Sequence, residues 1–145
     1  MSTEFRGFSG SESIPENLFA QILFIEQTRH FIVSIMKRLG PQVGHSRWHA
    51  GRDERAGRDY FFENMEFRIR GRSDPAFIGF YHYRRPEEQA GSFWQVWEWE
   101  HADTPAVSVP MAELVKEIRQ ASKEGQLPTA LQRHADTIRS LLGLH

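Results

Sequence analysis

Charged and aromatic residues alternate along the middle of the chain, and this mixture is the clearest chemical feature of the sequence. Twelve of the eighteen aromatic residues lie between Tyr60 and Trp99, interleaved with charges at a spacing of two. Such a spacing places alternate side chains on opposite faces of a β-strand. Arginine, tyrosine and tryptophan are enriched where proteins bind each other, so we expect one sheet face to bind a partner protein. The residues expected there are Glu66, Arg68, Arg70, Tyr81, Tyr83, Trp94, Glu98 and Glu100.

The assignment of faces depends on strand register, because a shift of one residue in the pairing exchanges the two faces. On the second predicted strand, the sequence leaves two alternatives open. Either Tyr81 and Tyr83, or His82 and Arg84, lie on the same face as Glu66. On the third, burying Trp97 and Trp99 while exposing Glu98 and Glu100 costs less free energy than the reverse. This choice places Trp94 on the exposed face.

A second candidate site is the arginine-rich segment that precedes these strands. Its four arginines lie among two histidines and two glycines, and a tryptophan there could stack on a nucleic-acid base. The candidate anion-binding residues are Arg47, Arg52, Arg55 and Arg58. Three nearby carboxylates are expected to neutralise much of this charge, and no glycine-rich phosphate motif is present. The sequence therefore leaves both an anion-binding loop and an ordinary solvated loop open.

Motifs for metal binding and catalysis are weak or missing. His45 and His49 are four residues apart, but the residues between them lack the glutamate of a zinc-protease HExxH motif. The chain contains no cysteine, which excludes disulfides and thiolate zinc sites. No lysine lies between Lys37 and Lys116 to complete a magnesium nuclease motif, and no Gly-x-Ser-x-Gly elbow is present. The sequence therefore predicts no metal, no cofactor and no catalytic residue.

The elements that must position these residues are those of an α+β fold. We expect an N-terminal helix, a three- to four-stranded antiparallel meander and a C-terminal antiparallel helical hairpin. A capping box begins the first helix near Ser13, and Gly40 with Pro41 ends it. The predicted strands cover residues 60–70, 76–84 and 93–100, with a short strand at 43–49 and a loop at 50–58. Residues 1–13 are expected to form a flexible tail, and 14–145 a single domain.

The helix predicted over residues 14–39 is apolar around most of its circumference. Such a helix is either buried on two sides within the domain or contributes one side to a homodimer. No apolar stretch approaches the roughly 18 uninterrupted residues of a membrane span. The N-terminal residues also lack the apolar core of a secretory signal. These features predict a cytoplasmic protein with no membrane partner.

Three functional hypotheses follow. The leading one is a small non-enzymatic protein-binding module of the inhibitor, immunity or accessory-subunit type. The second is a nucleic-acid-associated factor that uses residues 37–85. This segment contains eleven basic and six acidic residues, although the whole chain has a net charge of -1. The third is a small-molecule-binding or enzyme domain with an aromatic pocket. A deep concavity lined by Tyr81, Trp97 or Trp99 with converging polar groups would favour the third.

Overall fold

One antiparallel sheet with helices on a single face makes up the fold. The computed structural model describes residues 29–55 and 57–144, so the predicted tail at 1–13 and the first half of the predicted 14–39 helix lie outside the described residues. In chain order the elements are α1 (described over residues 29–37), β1 (Val43–Arg55), β2 (Arg58–Ile69), β3 (Ala76–Arg85), β4 (Gly91–Trp97), β5 (Val107–Pro110), α2 (Met111–Lys123) and α3 (Leu127–Leu142). The predicted α+β class, meander and C-terminal hairpin are confirmed.

The sheet order is β1-β2-β3-β4-β5, and every neighbouring pair is antiparallel. It has five strands rather than three to four. The prediction missed β5, a short strand that ends at Pro110 and pairs with β4. Short connections between successive strands make this simple order possible.

The predicted loop at 50–58 is wrong, because β1 continues through the arginine-rich segment to Arg55. β1 pairs with β2 along its length until Arg55 lies opposite Arg58, and Gly57 follows the strand with a φ of 77° that favours glycine. The register shifts between Gly44 and Arg47, where His45 has a φ of 51°. The predicted strand at 43–49 was too short. Its continuation through residues 50–55 was not recognised because these residues are charged or small and form no apolar face.

The main core lies between the sheet and the three helical segments. Its buried side chains include Phe31, Ile32, Ile35, Leu39, Phe67, Ile78, Phe80, Trp94, Leu114, Ile138 and Leu142. Each large apolar side chain buried in this way stabilises the fold by about 1.5–3 kcal/mol. The apolar side of α1 is thus covered within one chain over the described residues. A homodimer through the 14–39 helix remains a prediction.

A buried carboxylate lies on this helical side of the sheet. The Glu63 side chain is fully buried, and its Oε2 lies 2.8 Å from Nη2 of Arg29 in α1. Nε1 of Trp48 donates a hydrogen bond to the same oxygen at 2.9 Å, and the Arg29 guanidinium lies 5.4 Å from the Trp48 ring centre. This cluster joins α1 to the first two strands through charge as well as apolar contact.

The C-terminal helices form the predicted hairpin. Met111, Leu114, Ile118 and Ala121 repeat at helical spacing along the buried side of α2. Arg133 of α3 donates a hydrogen bond of 2.6 Å to Glu117 of α2, which links the exposed sides of the two helices. None of the helices in the described part of the chain combines the length and apolar content that crossing a bilayer requires.

Candidate functional site

The sheet face opposite the helices is concave and contains a cavity of about 350 Å³. Six aromatic rings line it, and we call it the aromatic cavity. They belong to Tyr60, Phe62, Phe77, Tyr81, Tyr83 and Trp97. Strand pairing explains why they meet: Tyr60 lies opposite Tyr83, Phe62 opposite Tyr81, and Phe77 opposite Trp97. The central strand β3 is therefore apolar on both faces.

The least exposed residues around the cavity form its floor. Asn64, Tyr81 and Tyr83 are each 6% exposed, and Trp97 is 8% exposed. Asn64 lies opposite Gly79 in the β2–β3 ladder. Because Gly79 has no side chain, the Asn64 side chain has room beside the tyrosine rings.

The aromatic rings of the cavity are close to one another and partly parallel. The Tyr81 and Tyr83 ring centres are 6.3 Å apart with 16° between the planes, and those of Phe62 and Tyr81 are 6.4 Å apart with 27°. Tyr60 lies 5.1 Å from Tyr83 at a steeper angle. Such offset contacts are the favourable arrangement for aromatic rings.

Gln95 holds two of the floor rings in place. Its Oε1 accepts hydrogen bonds from the Tyr83 hydroxyl at 2.6 Å and from Nε1 of Trp97 at 3.0 Å. Its Nε2 donates to Oγ of Ser108 on β5 at 3.1 Å. Since Gln95 is itself buried, this network fixes the orientation of both rings.

The β1–β2 hairpin bends over the cavity. Tyr60 pairs with Tyr83 near one end of β3, whereas Trp97 pairs with Phe77 near the other end. In a flat sheet these two pairs would lie about 20 Å apart along the strand direction. Nevertheless the Arg58 guanidinium lies 5.6 Å from the Trp97 ring centre. Arg55 also donates to the backbone carbonyl of Glu100 at 2.9 Å. The sheet is therefore strongly coiled, and these two arginines form one side of the cavity entrance.

Carboxylates accompany the basic groups at the entrance. Arg55 Nη2 lies 3.2 Å from Oδ2 of Asp53 and 3.4 Å from Oε2 of Glu100. Elsewhere on the entrance, Nε2 of His49 lies 2.8 Å from Oε1 of Glu66. The entrance thus combines both signs of charge, whereas the floor consists of uncharged groups.

The tyrosine hydroxyls of the cavity have pKa values above that of a free tyrosine. Burial raises the pKa of Tyr83 to about 12, although the nearby Arg58 opposes this shift. Burial also raises the pKa of Tyr81, and burial together with the Asp53 charge raises the pKa of Tyr60. At neutral pH all three hydroxyls therefore remain protonated and can donate hydrogen bonds.

This burial leads to a spectroscopic prediction. The chain has only three tyrosines, and all of them line the cavity, so the near-ultraviolet absorbance of tyrosinate reports on this site alone. We expect little tyrosinate in the folded protein at pH 10, where a free tyrosine is half ionised. The unfolded chain releases these protons near pH 10 and the folded chain at higher pH, so stability should fall as the pH rises from 10 to about 12. Complete ionisation by pH 10 with an unchanged circular-dichroism spectrum would contradict the assignment.

The structure distributes the four arginines predicted to bind anions over two faces. Arg55 and Arg58 lie together at the cavity entrance. Arg47 lies 3.7 Å from the Glu66 carboxylate. Arg52 is on the helical side, where it makes two hydrogen bonds of 2.9 Å to Asp59. These bonds hold the pKa of Asp59 below its usual value although burial opposes the shift.

The residues predicted to bind a partner protein are also divided. Tyr81, Tyr83 and Glu66 share the open face and line the aromatic cavity, and Glu100 lies at its entrance. Arg68 and Arg70 are exposed near the opposite end of β2, where Arg68 donates to the carbonyl of Ser73. Glu98 is exposed after β4 and pairs with Arg72 at 2.9 Å. The structure therefore does not bring these residues into one patch.

The predicted face of Trp94 is wrong, because this residue is fully buried on the helical side. Its ring packs edge-on against Phe31 of α1, with ring centres 4.9 Å apart. The prediction assumed that only one face of β4 is buried from solvent. In fact both faces of this strand are packed, and Trp97 and Phe93 are covered on the open side by the tyrosine cluster. Trp99, expected to be buried, is 41% exposed beyond the end of β4.

Sequence reasoning did not identify Asn64, Gln95 and Gly79. The available signal was a polar amide or a glycine inside an otherwise apolar strand, since such residues must have a hydrogen-bond partner or a close backbone approach to be tolerated there. Neither His45 nor His49 belongs to a group of possible metal ligands in the described part of the chain. Among residues 29–55 and 57–144 no three histidine or acidic side chains are grouped to hold a metal ion.

Comparison with known proteins adds no further information about this site. No protein-family model matches the chain, and neither the curated proteins nor the solved structures include a significant match to it.

Proposed function

We propose that this protein binds a small, flat and largely apolar molecule in the aromatic cavity. One observation carries the proposal: a concavity of about 350 Å³ is lined by six aromatic rings and a few converging polar groups. Ligand sites are typically concave and mainly apolar, with a small number of polar groups that fix orientation, and occupy about 300–1,000 Å³. This is the third hypothesis raised by the sequence.

The ring geometry supports a flat ligand rather than a bulky one. Tyr81 is nearly parallel to Tyr83 and close to parallel to Phe62. An aromatic ligand could continue this series of offset stacked rings. Because Gln95 fixes the rings of Tyr83 and Trp97, little ordering of side chains would accompany binding, which favours affinity.

The other two hypotheses receive less support from the geometry. For a nucleic-acid-associated factor, Arg47, Arg52 and Arg55 each lie within 4.0 Å of a carboxylate, which reduces the charge available for phosphates. For a protein-binding module, Arg68 and Arg70 are exposed but lie apart from the cavity. A partner protein and a cytoplasmic location remain predictions.

The proposal is tested by titrating the protein with quinoline as a flat probe and following the indole N–H signals by NMR. The chain has four tryptophans in different surroundings. We expect the Trp97 signal to shift, because its ring lines the cavity, and the buried Trp94 and exposed Trp99 signals to stay unchanged. Replacing Trp97 with leucine should weaken quinoline binding about tenfold through the loss of stacking.

Trp99→Leu is the matched control, because it removes the same side chain from outside the cavity. It should leave the affinity for quinoline unchanged. Equal effects of the two substitutions, or no saturable shift of the Trp97 signal, would overturn the proposal. The melting temperature of each variant verifies that it is folded at the temperature of the titration.

A further inference from the structure

The geometry points to a ligand whose polar edge presents a hydrogen-bond donor next to an acceptor, as a lactam, an imide or a nucleobase does. This inference rests on the proposed function and specifies the chemical class of the ligand. Asn64 and Tyr81, two neighbouring groups on the cavity floor, would recognise that edge.

Asn64 supplies an unsatisfied polar atom at the floor. The residue is 6% exposed, and its Nδ2 donates a hydrogen bond of 3.0 Å to the Tyr81 hydroxyl. Its Oδ1 is buried and has no hydrogen-bond partner among the described residues. Nearly all buried polar atoms in proteins have a partner, and because Asn64 lines the cavity, a small rotation of its amide would bring Oδ1 to a ligand there. The Oδ1 atom therefore favours a ligand group that donates a hydrogen bond.

Tyr81 supplies the complementary group. Its hydroxyl oxygen accepts the Asn64 amide proton, which leaves the hydroxyl proton available for another acceptor. The two residues together offer one acceptor and one donor side by side. A ligand with an adjacent N–H and C=O satisfies both, whereas a purely apolar ligand satisfies neither.

The inference does not depend on how the amide is oriented. If the oxygen and nitrogen of Asn64 exchange places, the Tyr81 hydroxyl donates to Oδ1, and Nδ2 becomes the free donor. The hydroxyl oxygen then remains as the free acceptor. In both orientations the floor offers one donor and one acceptor.

The charge of the floor narrows the ligand class. Neither Asn64 nor Tyr81 carries a charge, and the arginines and carboxylates of the site lie at the entrance. A carboxylate on the ligand would satisfy only the donor of the pair, and an ammonium group only the acceptor. A neutral edge with both functions is the complementary choice, and the surrounding rings match its flat body.

Two isomeric probes test the inference by NMR titration. In 4-methylquinolin-2(1H)-one the ring N–H and C=O are both free, whereas 1-methylquinolin-2-one has the same atoms with the N–H blocked. We expect the wild-type protein to bind the N–H isomer about tenfold more tightly, since only this isomer can pair with both floor groups. Asn64→Leu should reduce the preference to about threefold or less, because it removes the acceptor of the ligand N–H, whereas Tyr81→Phe should weaken both isomers by a similar factor, because both carry the C=O. If the oxygen and nitrogen of Asn64 exchange places, the two variants exchange these effects.

The outcomes separate this inference from the proposed function. Equal affinity of the wild-type protein for the two isomers, or an unchanged preference in both variants, would overturn the donor–acceptor edge while quinoline binding stands. Failure of quinoline and of both isomers to bind would overturn the proposed function as well. If Asn64→Leu does not fold, Asn64→Ala takes its place, because it removes the same acceptor with a smaller side chain.

Discussion

Replacing Gly79 with alanine is expected to destabilise the fold by about 3 kcal/mol, because the strands β2 and β3 leave no space for a side chain there. A Cβ atom at this position would meet the backbone carbonyl oxygen of Glu63. It would also lie 2.5 Å from Cα and 2.7 Å from Cβ of Asn64. Two of these three atoms belong to the backbone, so a change of rotamer cannot relieve the clash. Relief requires the two central strands to separate at the cavity floor.

Gly44→Ala provides the matched control, because a Cβ there would have no heavy atom within 4 Å. It should change the free energy of unfolding by no more than about 0.5 kcal/mol. Urea denaturation of the two variants and the wild type measures both effects. A loss below about 1 kcal/mol in Gly79→Ala would show that the strands separate easily, and the floor would then be less rigid than described.

Removing the cation beside Glu63 is the second substitution with a large expected effect. Arg29→Met should destabilise the protein by about 3 kcal/mol, because it leaves a fully buried carboxylate without the guanidinium that lies 2.8 Å away. The Arg29 side chain is 32% exposed, which places the effect at the lower end of those measured for buried pairs. Trp48 continues to donate its hydrogen bond and limits the loss.

The double variant Arg29→Met with Glu63→Met distinguishes charge burial from lost packing. Because it removes the carboxylate as well, it should recover most of the stability lost in Arg29→Met. Arg133→Met is the control, since it breaks an exposed pair with Glu117 and should cost less than about 1 kcal/mol. Urea unfolding of the three variants gives the comparison. A double variant no more stable than Arg29→Met would mean that contacts of the arginine side chain dominate.

The period-two pattern of the sequence was sufficient to predict the meander. It also requires Tyr81 and Tyr83 to share a face of β3, whereas their position on the same face as Glu66 follows from the strand register, which the sequence left open. The helical hairpin was equally predictable, since glycine and proline separate its two amphipathic helices.

The curvature of the sheet could not be predicted from that pattern. Alternation specifies which residues share a face, but not that the hairpin at Arg55 and Arg58 bends across to Trp97 and Glu100. The position of Trp94 was wrong for a related reason. A strand packed on both sides has no polar face, so the cost of burying polar groups does not identify which of its apolar residues face the helices.

Both outer strands of the sheet are unsuited to pairing with another chain. β5 has only four residues and ends at Pro110, while β1 has a register shift after Gly44 and carries charged side chains. Proteins use short length, proline, bulges and charge in this way to block aggregation along the sheet margin. The interior strand β3 has the opposite character, with Ile78 and four phenylalanine or tyrosine residues between Phe77 and Tyr83. Detaching β1 would expose the edge of β2, and detaching β5 would expose that of β4, so β3 stays paired until one of these inner strands is lost as well. The segment most prone to form intermolecular β-structure is therefore protected by two strands on each side.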